Sequence, residues 1–180
     1  MSAASVAIVA SDDVPFFRAS VPPRLGGAVD YFFARRRSTA IGARFWRFAA
    51  DGWASFDAVE RTRCARLFAR YRLFWSAEIL SPADRAFYDA LPDEFFIYRG
   101  QNGPELPVAG AFTPSLALAR RAALGRRNVR YAEPTLVSLA VSKNEVALAF
   151  SAHEQEAIVL FPSQAILARA ETRALAPLTH

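Results

Sequence analysis

A chain of 180 residues, 53% apolar and 22% charged, with 15 Phe, 5 Tyr and 3 Trp, can bury a core without staples and is not globally disordered. The single Cys64 excludes an internal disulfide or a cysteine-rich zinc site, and the two histidines, His153 and His180, are too few for a histidine-based metal site. A net charge of +5 and a pI near 10.0 point towards nucleic acid, but 21 of the 22 cations are arginines dispersed over both halves, so the excess reads as compositional and disfavours that partner.

Met1 to Ala10 is small and apolar, lacks a cationic flank and runs into Asp12-Asp13, so it is not expected to be a secretory leader. No stretch approaches the about 18 uncharged apolar residues of a membrane span. These features predict a cytoplasmic protein, of the producing cell or of a target cell, with no membrane partner. Leu25 to Arg37 carries Leu25, Val29, Phe32 and Phe33 at helical spacing before the Arg35-Arg36-Arg37 cluster. Phe45 to Ala50 predicts a short helix between the breaks Gly42 and Gly52. Phe56 to Leu80 is the clearest helix, with Val59, Ala65, Leu67, Phe68, Tyr71, Phe74, Trp75 and Ile79 on one apolar face. Ser81-Pro82-Ala83-Asp84 is a helix start, with Ser as N-cap, Pro at the first helical position and an acid in the first turn.

Near residue 93 the periodicity changes. Phe95 to Arg99 predicts a buried strand stopped by Gly100, and Gln101 to Gly110 a loop. Leu116 to Leu124 predicts a helix capped by Ser115. Gly125 to Glu133 is a basic loop holding Arg126, Arg127, Arg130 and Tyr131. Thr135 to Val141 and Glu145 to Phe150 read as strands in a hairpin-like connection through Ser142-Lys143-Asn144, with further strands at Ala157 to Phe161 and Ala165 to Ala170. Helices first and antiparallel strands afterwards predict an α+β protein.

Three places in the second half can carry chemistry. Arg99 ends an apolar strand, where a charge needs a partner or a ligand. Thr113 opens the turn before a helix. Glu154 and Glu156 precede the strand Ala157-Ile158-Val159-Leu160-Phe161; in an extended segment both carboxylates face one way, and their proximity resists joint ionisation. Each also has a plainer reading: a structural ion pair for Arg99, a solvated turn for the glutamates and His153, and helix caps for Thr113 and Ser115. Cys64 and the aromatic stripe of Phe56 to Leu80 read as core.

Tyr98-Arg99-Gly100, then Phe112-Thr113-Pro114-Ser115, then Glu154-Gln155-Glu156 before an apolar strand resemble, in order, the motifs of the arginine–serine–glutamate class of mono-ADP-ribosyltransferases, the bacterial toxin and phage type. The resemblance covers about Phe95 to Phe161, and Pro114 departs from the hydroxyl or small polar residue usual in that turn. It implies a split antiparallel β-core over 94–180; the helical region 1–93, which the resemblance does not cover, is expected to pack on it as one unit. It implies NAD as substrate, no metal, and transfer of ADP-ribose to a protein acceptor, with arginine favoured by the two glutamates. By the same resemblance Arg99 holds the NAD phosphates, and Glu156 bonds the ribose and offsets an oxocarbenium-like transition state. Glu154 serves the acceptor, Thr113 and Ser115 brace the ribose or Glu156, Gly100 approaches the nicotinamide amide through its backbone, and Tyr131 stacks nearby. NAD hydrolysis, or an inactive protein of this fold that binds a partner or nucleic acid, remain the alternatives. The oligomeric state is left open.

Overall fold

The computed structural model describes residues 26–35, 40–106, 110–125, 131–151 and 157–176, and helices predominate in the described part before residue 93. Helix α1 (Gly26–Ala34) lies within the expected helical stretch, and helix α2 (Gly42–Gly52) is longer than the expected Phe45 to Ala50: both glycines, expected as breaks, are helical, and the chain runs on into a turn of 3-10 helix at Trp53–Ser55. Met1 to Leu25 and Arg36 and Arg37 lie outside the described residues. Helix α3 (Ala58–Tyr71) starts on a reciprocal cap: Asp57 Oδ1 accepts from the Glu60 backbone N–H at 2.8 Å, and Glu60 Oε2 accepts from the Asp57 N–H at 2.9 Å.

The long helix expected to reach Leu80 stops at Tyr71. Two single turns of 3-10 helix, Arg72–Phe74 and Ala77–Ile79, follow, separated by extended backbone at Trp75 and Ser76. The reason is non-local. Leaving the helix lets the Trp75 indole donate to the Ala147 carbonyl at 2.7 Å and its ring meet Tyr88 and Phe161. Leu73 is left 95% exposed, and Val59, expected on the buried face, is 66% exposed. Helix α4 (Pro82–Ala90) begins as the sequence predicts, with the Ser81 hydroxyl accepting from the Asp84 N–H and donating to Asp84 Oδ2 at 2.7 Å.

The strands form two three-stranded antiparallel sheets. In the first, β3 (Pro134–Ser142) lies between β1 (Glu94–Asn102) and β6 (Glu171–Ala174). In the second, β5 (Ala157–Leu160) lies between β2 (Ala111–Phe112) and β4 (Val146–Phe150). The protein is α+β. Strand β1 does not stop at Gly100 but runs on to Asn102, paired with β3 from Glu94 opposite Ser142 to Asn102 opposite Pro134. It is half-buried rather than buried: Ile97 is enclosed and Phe96 is 60% exposed.

The expected hairpin between β3 and β4 is instead a crossing from one sheet to the other. A turn at Lys143–Glu145 redirects the chain, closed by the Ser142 N–H donating to Glu145 Oε2 at 2.9 Å. Lys143 fastens it to the end of α4, its Nζ donating to the carbonyls of Asp89 and Leu91. The strand expected over Ala165 to Ala170 is helix α6 (Gln164–Leu167), because the Ser163 hydroxyl caps the Ile166 N–H and Ile166 is buried. Helix α5 (Leu116–Ala123) sits between β2 and β3 in the chain. The core is continuous: Phe161, just after β5, packs its ring on Trp46 and Phe68 of the helices at 5.7 and 6.4 Å.

Candidate functional site

Along β1, residues two apart share a face, so Ile97, Arg99 and Gln101 line up on one side. Their neighbours across the ladder are Leu139, Val137 and Thr135. All of these except Arg99 are buried, so Arg99 stands on a face that becomes polar only towards Gln101 and Thr135. A guanidinium in such a place must be hydrogen-bonded. Arg99 Nε donates to Gln101 Oε1 at 2.9 Å, and a terminal nitrogen donates to the Ala111 carbonyl at 2.8 Å. The second bond joins β1 to β2, and so one sheet to the other.

Gly100 belongs to the opposite face. A Cβ there would overlap the Ala119 carbonyl oxygen and the Ala123 nitrogen of α5 and lie 2.8 Å from the Ala122 carbonyl carbon. The glycine is what lets a helix backbone press directly on the strand. It turns its Cα towards the helix, away from the Arg99 side.

Thr113 sits where the sheets meet. The Tyr98 N–H donates to the Thr113 carbonyl at 2.7 Å, and the Thr113 N–H donates to the Tyr98 carbonyl at 2.8 Å. Its hydroxyl accepts from the Ser115 N–H at 3.1 Å, and the Ser115 hydroxyl accepts from the Leu118 N–H at 3.3 Å, so the pair shapes the turn into α5. Strand β2 pairs with β5, Ala111 opposite Val159 and Phe112 opposite Ile158. The pairing ends there, on β2 one residue before Thr113 and on β5 one residue after Ala157.

Glu154 and Glu156, with His153, lie outside the described residues, as do Arg126, Arg127 and Arg130. The chain on either side is held firmly. Ser151 donates its N–H and its hydroxyl to Asp84 Oδ1 at 2.7 and 3.1 Å, and Ala157 pairs with Phe150. Tyr131 is half-buried ahead of β3. Among the described residues no group of three or more His, Cys, Asp or Glu could hold a metal ion, and no helix is long and apolar enough to cross a membrane.

Two residues at this junction escape a motif reading. Gln101, within the expected loop, is a strand residue that fixes Arg99; an arginine and a glutamine two apart, on either side of a glycine, was the available signal. Asp84, seen only as a helix-start acid, also ties the end of β4 to α4. Compared with protein-family models, curated proteins and solved structures, the chain matches none significantly.

Proposed function

We propose that this protein is an NAD-dependent mono-ADP-ribosyltransferase that modifies a protein side chain, with arginine as the favoured acceptor. The observation that carries this reading is the two-bond bridge between Tyr98 and Thr113 at the meeting of the sheets. It sets the strand of Arg99 beside Thr113, and β2, which ends at Phe112, pairs with β5, the strand that follows Glu156 in the chain.

In this reading the Arg99 guanidinium holds the pyrophosphate of NAD, a task suited to a permanently charged planar fork whose orientation is already fixed. Breakage of the bond between C1′ of the ribose and the nicotinamide nitrogen leaves positive charge on the sugar, and nicotinamide departs neutral. Glu156 accepts from the ribose 2′-hydroxyl and offsets that charge. Glu154 takes the proton as an acceptor guanidine nitrogen bonds to C1′. Thr113 and Ser115 keep the turn beside the ribose in shape, Tyr131 offers an aromatic face nearby, and Gly100 serves chiefly by seating α5 against the strand that carries Arg99. No metal takes part.

The internal bonds of Arg99 to Gln101 and Ala111 favour a second reading, a structural arginine in a non-catalytic protein that binds a partner. Incubating the purified protein with NAD labelled in its adenylate phosphate and a mixture of soluble proteins separates these. Label on protein with wild type, and none with Glu156→Gln, is the expected result. Label found only as free ADP-ribose would make the enzyme an NAD hydrolase, and intact NAD throughout would leave the non-catalytic reading.

A further inference from the structure

Two polar side chains are fully enclosed among the described residues, Gln101 at 7% exposure and Thr135 at 6%. Burying an amide is costly unless its donors and acceptor find partners, and Gln101 finds them in a way that fixes its orientation. Its Nε2 donates to the carbonyls of Gly103 and Glu105, at 2.9 and 2.8 Å. With both amide hydrogens on carbonyl oxygens, Oε1 must point the other way, where it accepts from Arg99 Nε at 2.9 Å. The reversed amide would set donor against donor at Arg99 and acceptor against acceptor at the loop.

The frame that holds Gln101 is itself tied down. Gly103 has φ of +79°, a backbone conformation that favours glycine, and its N–H donates to the Glu133 carbonyl at 2.9 Å. The Glu133 N–H in turn donates to Asn102 Oδ1 at 2.9 Å. The Thr135 hydroxyl donates to the same Glu133 carbonyl at 3.0 Å. The end of β1 and the entry to β3 are thereby clamped, and Gln101 transmits their position to the guanidinium.

We propose that Gln101 is the positioning residue for Arg99: by accepting from Nε it pre-orders the guanidinium for an anionic ligand. This rests on the reading of Arg99 as the NAD phosphate ligand. An arginine that is ordered before binding loses less side-chain freedom when the anion arrives, so affinity is where Gln101 acts. Chemistry at the ribose, remote from this bond, is left alone.

Calorimetric titration of NAD into wild type, Gln101→Met, Arg99→Lys and the double variant tests this, alongside kcat and KM for nicotinamide release. Gln101→Met keeps the size of the side chain and removes every hydrogen bond. Its affinity for NAD is expected to fall about tenfold, the size of one charge-assisted hydrogen bond, with KM rising in step and kcat within about twofold. In the Arg99→Lys background the same substitution is expected to change nothing further, because its effect runs through Arg99. Unchanged NAD affinity in Gln101→Met, or an equal loss in both backgrounds, overturns the proposal. If Gln101→Met does not fold, Gln101→Asn, which keeps an amide but falls short of Arg99, must show the same selective loss of affinity. Wild type that does not bind NAD removes the parent reading and this inference together. Binding that Arg99→Lys weakens and Gln101→Met does not removes this inference alone.

Discussion

Gly100→Ala is the substitution that best tests how β1 and α5 fit together. One methyl group is added, and it lands on helix backbone: the Ala119 carbonyl oxygen, the Ala123 nitrogen and, at 2.8 Å, the Ala122 carbonyl carbon. Overpacking usually costs about 1–3 kcal/mol when side chains can move aside. Backbone cannot, so the cost belongs at about 3 kcal/mol or above. Against this, alanine restricts the unfolded chain and returns about 0.4–1 kcal/mol. The net loss is about 2 kcal/mol or more, a fall in Tm of roughly 4–8 °C for a chain of this size. Thermal unfolding followed by circular dichroism measures it, with Gly27→Ala as the control. A Cβ at Gly27 in α1 meets nothing within 4 Å, so that variant should match or slightly exceed wild type. A Gly100→Ala protein that melts with wild type would refute the seating of α5 on this glycine. The glycine after Arg99 would then need a ligand to explain it.

Asp84→Ala removes the bond from the Ser81 hydroxyl to the Asp84 carboxylate and both bonds to Ser151, while the Ser81 cap on the residue 84 N–H remains, with an expected loss of about 1–3 kcal/mol. Hydrogen exchange should quicken at the Ser151 amide, and unchanged protection there would refute the tie. Burial alone pushes the Glu145 carboxyl up, but the Arg169 side chain, the Ser142 N–H and the Arg169 charge together outweigh it and hold it below its ordinary value. The folded state therefore binds its proton less readily than the unfolded one, so this stabilisation is complete above the usual carboxylate range and lost as pH falls through the folded value. Because Arg169 is half exposed the contribution is at most about 1 kcal/mol. Urea unfolding should accordingly show Glu145→Gln less stable than wild type near neutrality and converging with it in acid; a gap that persists in acid would contradict the pairing. Burial pushes the Cys64 thiol far up, so a thiol reagent at neutral pH should label the native protein only at the rate of unfolding and label it at once in denaturant. Rapid native labelling would place Cys64 outside the core.

What the sequence predicted well was locally encoded. Ser81, Pro82 and Asp84 start a helix by chemistry confined to four residues, and Ser115 caps another. The misreadings all concern partners distant in the chain. The break after Tyr71 is tied to the carbonyl of Ala147, and no helical periodicity could register that bond. The passage from β3 to β4 resembles a hairpin until Lys143 fastens the turn to α4. Gly100 looked like a strand end because its obstacle, the backbone of α5, lies some twenty residues on. At the candidate site, Arg99 and Thr113 were visible as motif residues, but their bridge through Tyr98 and the role of Gln101 belong to the fold. Glu154 and Glu156 rest on sequence alone.

Nicotinamide released from NAD by the purified protein, compared between wild type and Glu156→Gln, tests the proposed activity most directly. Steady turnover by wild type and a rate lower by about a hundredfold or more in the variant is the expected result, the usual consequence of removing a group that stabilises transition-state charge. Equal turnover in both proteins, or none in either, would contradict it.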